Sequence, residues 1–148
     1  MLYSQKLYTT ESVTAGHPDK VCDQISDAIL DACLIQDPYS RVAVETFGGH
    51  GLIVVGGEVT TKAQVDYAKS AQQVYRDIGY TDPIRVLTNV IEQSGDIAQG
   101  VDVGGAGDQG IMYGYATNET ESYLPKATVL AHALTKGLED LRKKGILS

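Results

Sequence analysis

Apolar residues recur at helical spacing in three segments of the chain. The pattern predicts helices from Asp19 to about Gln36, from Ala63 to Ile78 and from Lys126 to Lys144. Pro18 is favoured at a first helical position and indicates where the first helix starts. The pair Asp37-Pro38 is typical of a turn and predicts its end.

Strands are predicted where short runs of β-branched and other apolar residues lie between turn signals. The turn at Gly48-Gly49-His50-Gly51 joins two such runs and predicts a β-hairpin. In chain order the predicted strands are residues 2–9, 41–47, 52–59, 85–91 and 111–116.

The order of the first six elements is β-α-β-β-α-β, which is typical of the split βαβ arrangement. We therefore predict an α+β fold: a four-stranded sheet with both helices on one face. Residues 92–110 are rich in glycine and poor in core-forming side chains, and they end this unit. The predicted domains are residues 1–100, and residues 101–148 as the incomplete start of a second, similar domain.

Composition and charge exclude several classes of partner. The 148 residues carry 12 basic and 19 acidic side chains, a net charge of −7, which argues against nucleic acid and anionic membranes as partners. No apolar run approaches the ~20 residues that span a bilayer. The N-terminus does not resemble a secretory signal, so a cytoplasmic location is expected. Cys22 and Cys33 lie on the apolar stripe of a predicted helix, as free thiols do in a reducing compartment.

Ionisable groups are concentrated at the start of the first helix, in Gly16-His17-Pro18-Asp19-Lys20. A helix N-terminus favours anions; His17 and Lys20 offer donors to a phosphate, and Asp19 offers a carboxylate to a bridging cation. A helix cap with solvated charges fits the residues equally well, and both interpretations stay open at this point.

Other carboxylates follow the predicted elements. Acidic residues recur every fourth position along the first helix, which indicates a solvated face or, alternatively, a cation-binding or interface stripe. Glu45 and Glu58 fall on predicted strands. A strand carboxylate usually faces solvent, but one buried near a site requires a cation or an amine.

The segment Gly105-Ala106-Gly107-Asp108-Gln109-Gly110 matches G-x-G-x-x-G. A dinucleotide site requires a helix directly after this motif, whereas a β-like run follows here. The remaining interpretations are a tight turn, or a ligand loop in which Asp108 supplies a carboxylate.

Taken in order, these motifs resemble S-adenosylmethionine synthetase (methionine adenosyltransferase) over essentially the whole chain. The segments that carry the resemblance are Thr10-Glu11-Ser12-Val13, Gly16 to Lys20, Asp23 to Ala28, Val42 to Thr46, Gly57 to Thr61, Ile78-Gly79-Tyr80, Gln93-Ser94, Gly105 to Gly110 and Gly114 to Thr120.

The resemblance implies formation of S-adenosylmethionine from ATP and L-methionine, with release of phosphate and diphosphate. The methionine sulfur attacks C5′ of the ribose and expels the triphosphate. The chemistry therefore depends on alignment and on cations that absorb the charge of the leaving group.

The resemblance also assigns roles to residues at matching positions. Catalysis and ATP binding are implied for His17 and Lys20. Mg²⁺ binding is implied for Asp19, with Glu11 as a further member of the metal shell, and K⁺ binding for Glu45. Contact with methionine is implied for Glu58, Gln93 and Asp108. The segment from Gln93 to about Asp102 corresponds to the family's mobile gate.

The implied assembly is a homodimer or a dimer of dimers formed through the sheet, with the active site at the subunit interface. The chain departs from the family pattern at Ala15 and Gly95, and it is less than half as long as a family chain. We therefore expect a fragment of the enzyme that is inactive by itself. The alternative is a non-catalytic nucleotide-binding or dimerisation module derived from the family.

Overall fold

The computed structural model of the chain describes residue 7, residues 9–94 and residues 109–147. These residues form two compact units. One contains residues 16–94 with 109–111, and the other contains residues 7, 9–15 and 112–147. The domain boundary predicted near residue 100 remains a prediction.

The first unit contains two helices and three strands. They are α1 (Pro18–Gln36), β1 (Arg41–Gly49), β2 (Leu52–Thr60), α2 (Tyr67–Ile78) and β3 (Arg85–Glu92). Each lies within a few residues of its predicted position. The largest difference is at α2, where Asp66 caps the helix through a hydrogen bond from the Lys69 amide, so that the helix begins at Tyr67 rather than at Ala63.

The sheet has the order β1-β2-β3. Strands β1 and β2 are antiparallel and are joined by His50 and Gly51, which both have positive φ, as a type I′ turn requires. Strands β2 and β3 are parallel, with Ile53 opposite Val86. A parallel pair needs a long crossover, which α2 provides.

Both helices lie on the same face of this sheet, as predicted. α1 packs against β1 and against α2, while α2 packs against β2 and β3. The Ser26 and Thr46 hydroxyls are 2.9 Å apart where α1 meets β1. The largest fully buried side chains come from α1 and β2 and are Ile25, Ile29, Cys33, Ile53 and Val55.

Two features of the predicted sheet need correction. The first predicted strand, residues 2–9, lies almost wholly outside the described residues, so a four-stranded sheet is not confirmed; three strands are present in the described part. The split arrangement is wrong for the strands that flank α2, because β2 and β3 hydrogen-bond directly to each other. A split βαβ would place another strand between them.

The second unit contains the helix α3 (Lys126–Lys143), close to the predicted range. The predicted strand over residues 111–116 is wrong: these described residues form no strand and are exposed. An apolar alternation becomes a strand only where a neighbouring backbone completes its hydrogen bonds. In this unit the Ser12 hydroxyl lies 2.7 Å from His132 Nδ1, and the Ala15 amide donates to Glu139 over 3.1 Å.

Within the described part of the chain, every helix is too short or too polar to cross a membrane.

Candidate functional site

His17 is the capping residue of α1. Its backbone is extended, with φ −63° and ψ 136°, and its Nδ1 accepts a hydrogen bond from the Asp19 amide over 3.2 Å. Nδ1 also lies 3.9 Å from an Asp19 carboxylate oxygen, a pairing that would require a protonated ring. The shorter amide contact assigns Nδ1 as an acceptor, which leaves Nε2 as the ring nitrogen that can carry a donor hydrogen. The Nε2–H group is therefore available to donate to a ligand.

Asp19 and Lys20 follow in the first helical turn. The Asp19 side chain is 89% exposed, and Lys20 is partly buried. Pro18 carries no N–H and the Asp19 N–H already donates to His17, so the positive end of the α1 dipole is what makes these surroundings favourable for an anion. His17, Asp19 and Lys20 are thus brought together by helix formation itself, with Pro18 setting the start.

The described residues contain no group of three or more His, Cys, Asp or Glu side chains that could hold a metal ion. Glu11 is exposed and belongs to the other unit. Asp19 carries an exposed carboxylate, and a single protein carboxylate suits Mg²⁺ because this ion usually keeps several waters and binds substrate phosphates.

Glu45, Glu58 and Gln93 share the face of the sheet opposite the helices. Glu45 lies opposite Gly56 in the β1–β2 register, and Glu58 lies opposite Ala43. The two glutamates are diagonal neighbours, an arrangement with Cβ atoms roughly 7 Å apart. Two carboxylates at this separation repel each other, so the pair favours a cation or an amine between them.

Gln93 extends the same face. Its amide continues the ladder by donating to the Val59 carbonyl over 2.9 Å, and its side-chain oxygen accepts from the Thr60 hydroxyl over 3.3 Å. Alternation along β3 puts Gln93 on the side of Ile91, whose partner in β2 is Glu58.

The predicted site residues of the first unit therefore fall into two groups. His17, Asp19 and Lys20 begin a helix that packs on one face of the sheet, whereas Glu45, Glu58 and Gln93 lie on the other face. Within one copy of this unit the sheet separates the two groups. Asp108 and residues 95–102 of the predicted gate lie outside the described residues.

A cavity of about 260 Å³ lies beside the start of α1. The residues around it come from the start of α1, the β1–β2 hairpin, the end of α2 and the segment after it, and include Pro18, Cys22, His50, Tyr80 and Asp82. Burial, followed by the nearby Asp19 and Asp23 carboxylates, raises the pKa of the Cys22 thiol. The thiol therefore stays protonated, and Cys22 acts as a packing residue of this cavity.

Tyr75 and Tyr80, which also line the cavity, had no predicted role. Their rings stack with centroids 4.6 Å apart and an angle of 18° between planes. The Tyr75 hydroxyl donates to Asp82 over 3.0 Å; burial and this hydrogen bond raise the Tyr75 pKa. The Tyr80 hydroxyl donates to the Gly16 carbonyl over 2.7 Å. Spacing rules cannot reveal a contact between residues so distant in sequence.

Residues 5–95 match the family model for the S-adenosylmethionine synthetase N-terminal domain. The chain belongs to the S-adenosylmethionine synthetase family. Residues 103–148 match the model for the central domain of the same family. The resemblance described from the ordered motifs is therefore confirmed.

Individual relatives agree with the family assignment. An S-adenosylmethionine synthase from Salinibacter ruber is 53% identical over 93% of this chain and 39% of its own length. Relatives with the same name from Mesoplasma florum and Clostridium tetani are 50% and 49% identical, over 95% and 97% of this chain and 41% and 42% of their own lengths. The chain spans about two-fifths of the length of these curated relatives.

Proposed function

We propose that this chain is part of an enzyme that forms S-adenosylmethionine from ATP and L-methionine and releases phosphate and diphosphate. The observation that carries the proposal is the start of α1. There a capping histidine whose Nδ1 accepts the Asp19 amide, a carboxylate and a lysine surround a helix N-terminus, in a chain of the S-adenosylmethionine synthetase family.

Each residue of this helix start fits a need of the displacement at C5′. As the bond to the triphosphate breaks, negative charge develops on the leaving oxygen, and a positioned donor stabilises it. His17 Nε2–H is such a donor. The Lys20 ammonium and the positive end of the α1 dipole neutralise phosphate charge. The nucleophile is a thioether sulfur, so the step needs alignment more than proton transfer.

Mg²⁺, when bound with the nucleotide, supplies positive charge to the phosphates. Asp19 is the residue of this helix start that would hold it, because its carboxylate is exposed and lies beside the anion-binding turn. Glu11 remains a further predicted ligand.

The face of the sheet opposite the helices, the open sheet face, offers groups for methionine and for K⁺. Glu58 and Gln93 offer a carboxylate to the methionine amine and an amide to its polar groups, and Asp108 is proposed for the same ligand. Glu45 is proposed for K⁺, which would also relieve its repulsion from Glu58.

Both groups serve one reaction only if a second copy supplies one of them. The sheet separates the start of α1 from the open face within a copy, and that face exposes Phe47, Leu87 and Ile91 to 78%, 40% and 56%. Burying these side chains against a second sheet would stabilise a homodimer, or a dimer of dimers, with the active site at the subunit interface.

Calorimetric titration with Mg²⁺-tripolyphosphate tests the helix-start site. We expect His17→Ala and Lys20→Ala to weaken binding by about tenfold or more, since each removes a donor to an anion. Asp31→Asn, at an exposed position further along α1, is the matched control for a change of charge. Equal affinities for all four proteins would contradict the proposed site.

A product assay separates the enzyme from the alternative. The chain is incubated with ATP, methionine, Mg²⁺ and K⁺, and S-adenosylmethionine and phosphate are measured. Product would show catalysis by this chain and would exclude the non-catalytic module. Tripolyphosphate binding without product is expected of a part of the enzyme that is inactive by itself, and it equally fits the non-catalytic nucleotide-binding module.

A further inference from the structure

The Tyr80 hydroxyl and the Gly16 carbonyl form a hydrogen bond of 2.7 Å that joins the end of α2 to the start of α1. The Gly16 carbonyl belongs to the peptide group that leads into His17. Because the peptide group is planar, a donor held at its oxygen also fixes the direction of the His17 amide. Tyr80 thus acts on the residue that begins the candidate site.

The Tyr80 side chain is itself held in place. Gly79 ends α2 in the left-handed region, with φ 113°, and turns the chain so that Tyr80 returns over the helix. There its ring stacks on Tyr75, which is fixed by its hydrogen bond to Asp82. The hydroxyl therefore reaches Gly16 from a rigid support.

Gly16 has no side chain and so leaves space for the Tyr80 hydroxyl. A Cβ at Gly16 would lie 2.7 Å from the Tyr80 oxygen, closer than real side chains approach, whereas the next ring atoms would be 3.3 and 3.5 Å away. A side chain at position 16 and a hydroxyl at position 80 therefore exclude each other.

We propose that Tyr80 is a positioning residue for the phosphate site at the start of α1. Its hydroxyl fixes the Gly16–His17 peptide group, so that His17 caps the helix through Nδ1 and directs Nε2–H outward. The proposal rests on the function proposed above and adds to it a residue that touches no substrate. The same hydroxyl would be dispensable if Tyr80 served only to fill space, because phenylalanine keeps the ring.

Tyr80→Phe tests the proposal, and Tyr39→Phe is the matched control, since Tyr39 is 92% exposed. Two readouts are compared with the unchanged chain: the NMR resonances of the Gly16 carbonyl and the His17 and Asp19 amides, and calorimetric affinity for Mg²⁺-tripolyphosphate. We expect Tyr80→Phe to shift these resonances and to weaken binding about fivefold, the loss typical of one hydrogen bond. Tyr39→Phe should change neither.

A double substitution tests whether positions 16 and 80 act on the phosphate site through their direct contact. Gly16→Ala should weaken tripolyphosphate binding by displacing the Tyr80 hydroxyl, and it should do so less in the Tyr80→Phe background, where that oxygen is absent. Independent, additive effects of the two substitutions would overturn the proposal. Gly16→Ala also keeps the test available if Tyr80→Phe fails to fold.

The outcomes separate this inference from the proposed function. If the unchanged chain does not bind tripolyphosphate, the proposed function fails at this helix. The role of Tyr80 is then decided by the resonances alone: unchanged Gly16, His17 and Asp19 signals in Tyr80→Phe overturn it, and displaced signals support it.

Discussion

Gly57 faces the Ala43 carbonyl so closely that a Cβ at Gly57 would overlap its oxygen atom. Gly57 also has φ 137°, a backbone conformation that other residues rarely adopt. It lies opposite Val44, one residue from Glu58, so this close approach of β1 and β2 lies beside the open-face carboxylates.

Gly57→Ala should therefore destabilise the first unit by about 2–3 kcal/mol, the sum of backbone strain and the displacement of β1. Denaturant unfolding followed by circular dichroism measures the loss. Gly56→Ala is the matched control, because its Cβ would meet the Asn89 carbonyl oxygen at an ordinary 3.6 Å. Comparable losses in both variants would contradict this explanation.

Asp37 should make the first unit sensitive to acid. Its carboxylate accepts hydrogen bonds from the Lys62 and Tyr39 amides, at 2.9 and 3.1 Å, and these hold its pKa below the ordinary value of 3.8. The unfolded chain therefore binds the proton more tightly than the folded chain does. The stabilisation is complete well above the unfolded pKa and is lost as the pH falls through the lowered folded value.

We expect Asp37→Asn to flatten the dependence of unfolding free energy on pH between about pH 5 and pH 2. Unfolding curves at several pH values measure this slope. Asp31→Asn, at an exposed position of α1, the helix that ends just before Asp37, should keep the slope of the unchanged chain. If the unfolding free energy of Asp37→Asn still falls steeply in acid, other carboxylates cause the loss of stability.

Glu139 should anchor Ala15 within the second unit. Its carboxylate accepts from the Ala15 amide at 3.1 Å and from Lys143 at 2.6 Å, and the Lys143 contact followed by the Ala15 bond lowers its pKa. Its side chain is only 14% exposed. Glu139→Gln should cost about 1 kcal/mol and speed hydrogen exchange at the Ala15 amide.

The control for Glu139 is the exposed neighbour, Asp140→Asn. NMR measures the hydrogen-exchange rate of the Ala15 amide itself, so the result is separate from changes elsewhere in the chain. Unchanged exchange at Ala15 in Glu139→Gln would show that the carboxylate does not hold this segment.

Phe47 should contribute to self-association through the open sheet face. It is 78% exposed on the face that bears Glu45. Replacing it by Glu would put a charge into the proposed interface and weaken dimerisation by about tenfold or more. Sedimentation analysis over a range of concentrations measures this change.

Ile35→Glu is the matched control for Phe47→Glu, because Ile35 is 83% exposed but lies on α1. If both variants associate as the unchanged chain does, the sheet face is not the interface. If Ile35→Glu alone weakens association, the interface involves α1 instead.

Local pattern predicted most of the described elements. The helical spacing of Cys22, Ile25, Ile29, Ala32 and Cys33 predicted α1 and its apolar stripe. Ile25, Ile29 and Cys33 are buried in the helix, together with Val21, whereas Cys22 and Ala32 are half-buried. The strand over residues 111–116 was wrongly predicted from a local run of β-like residues. A helix completes its hydrogen bonds within its own segment, whereas a strand depends on a neighbour that the local sequence does not specify.

The sequence by itself determined the family, the helix start that joins His17, Asp19 and Lys20, and the residue types available for chemistry, because these depend on identity and short spacing. Only the tertiary structure decided that β2 pairs directly with β3, that Glu45 and Glu58 lie across the sheet from α1, and that Tyr80 holds Gly16. These relationships depend on strand register and on packing between segments distant in the chain, and no local rule of spacing encodes either.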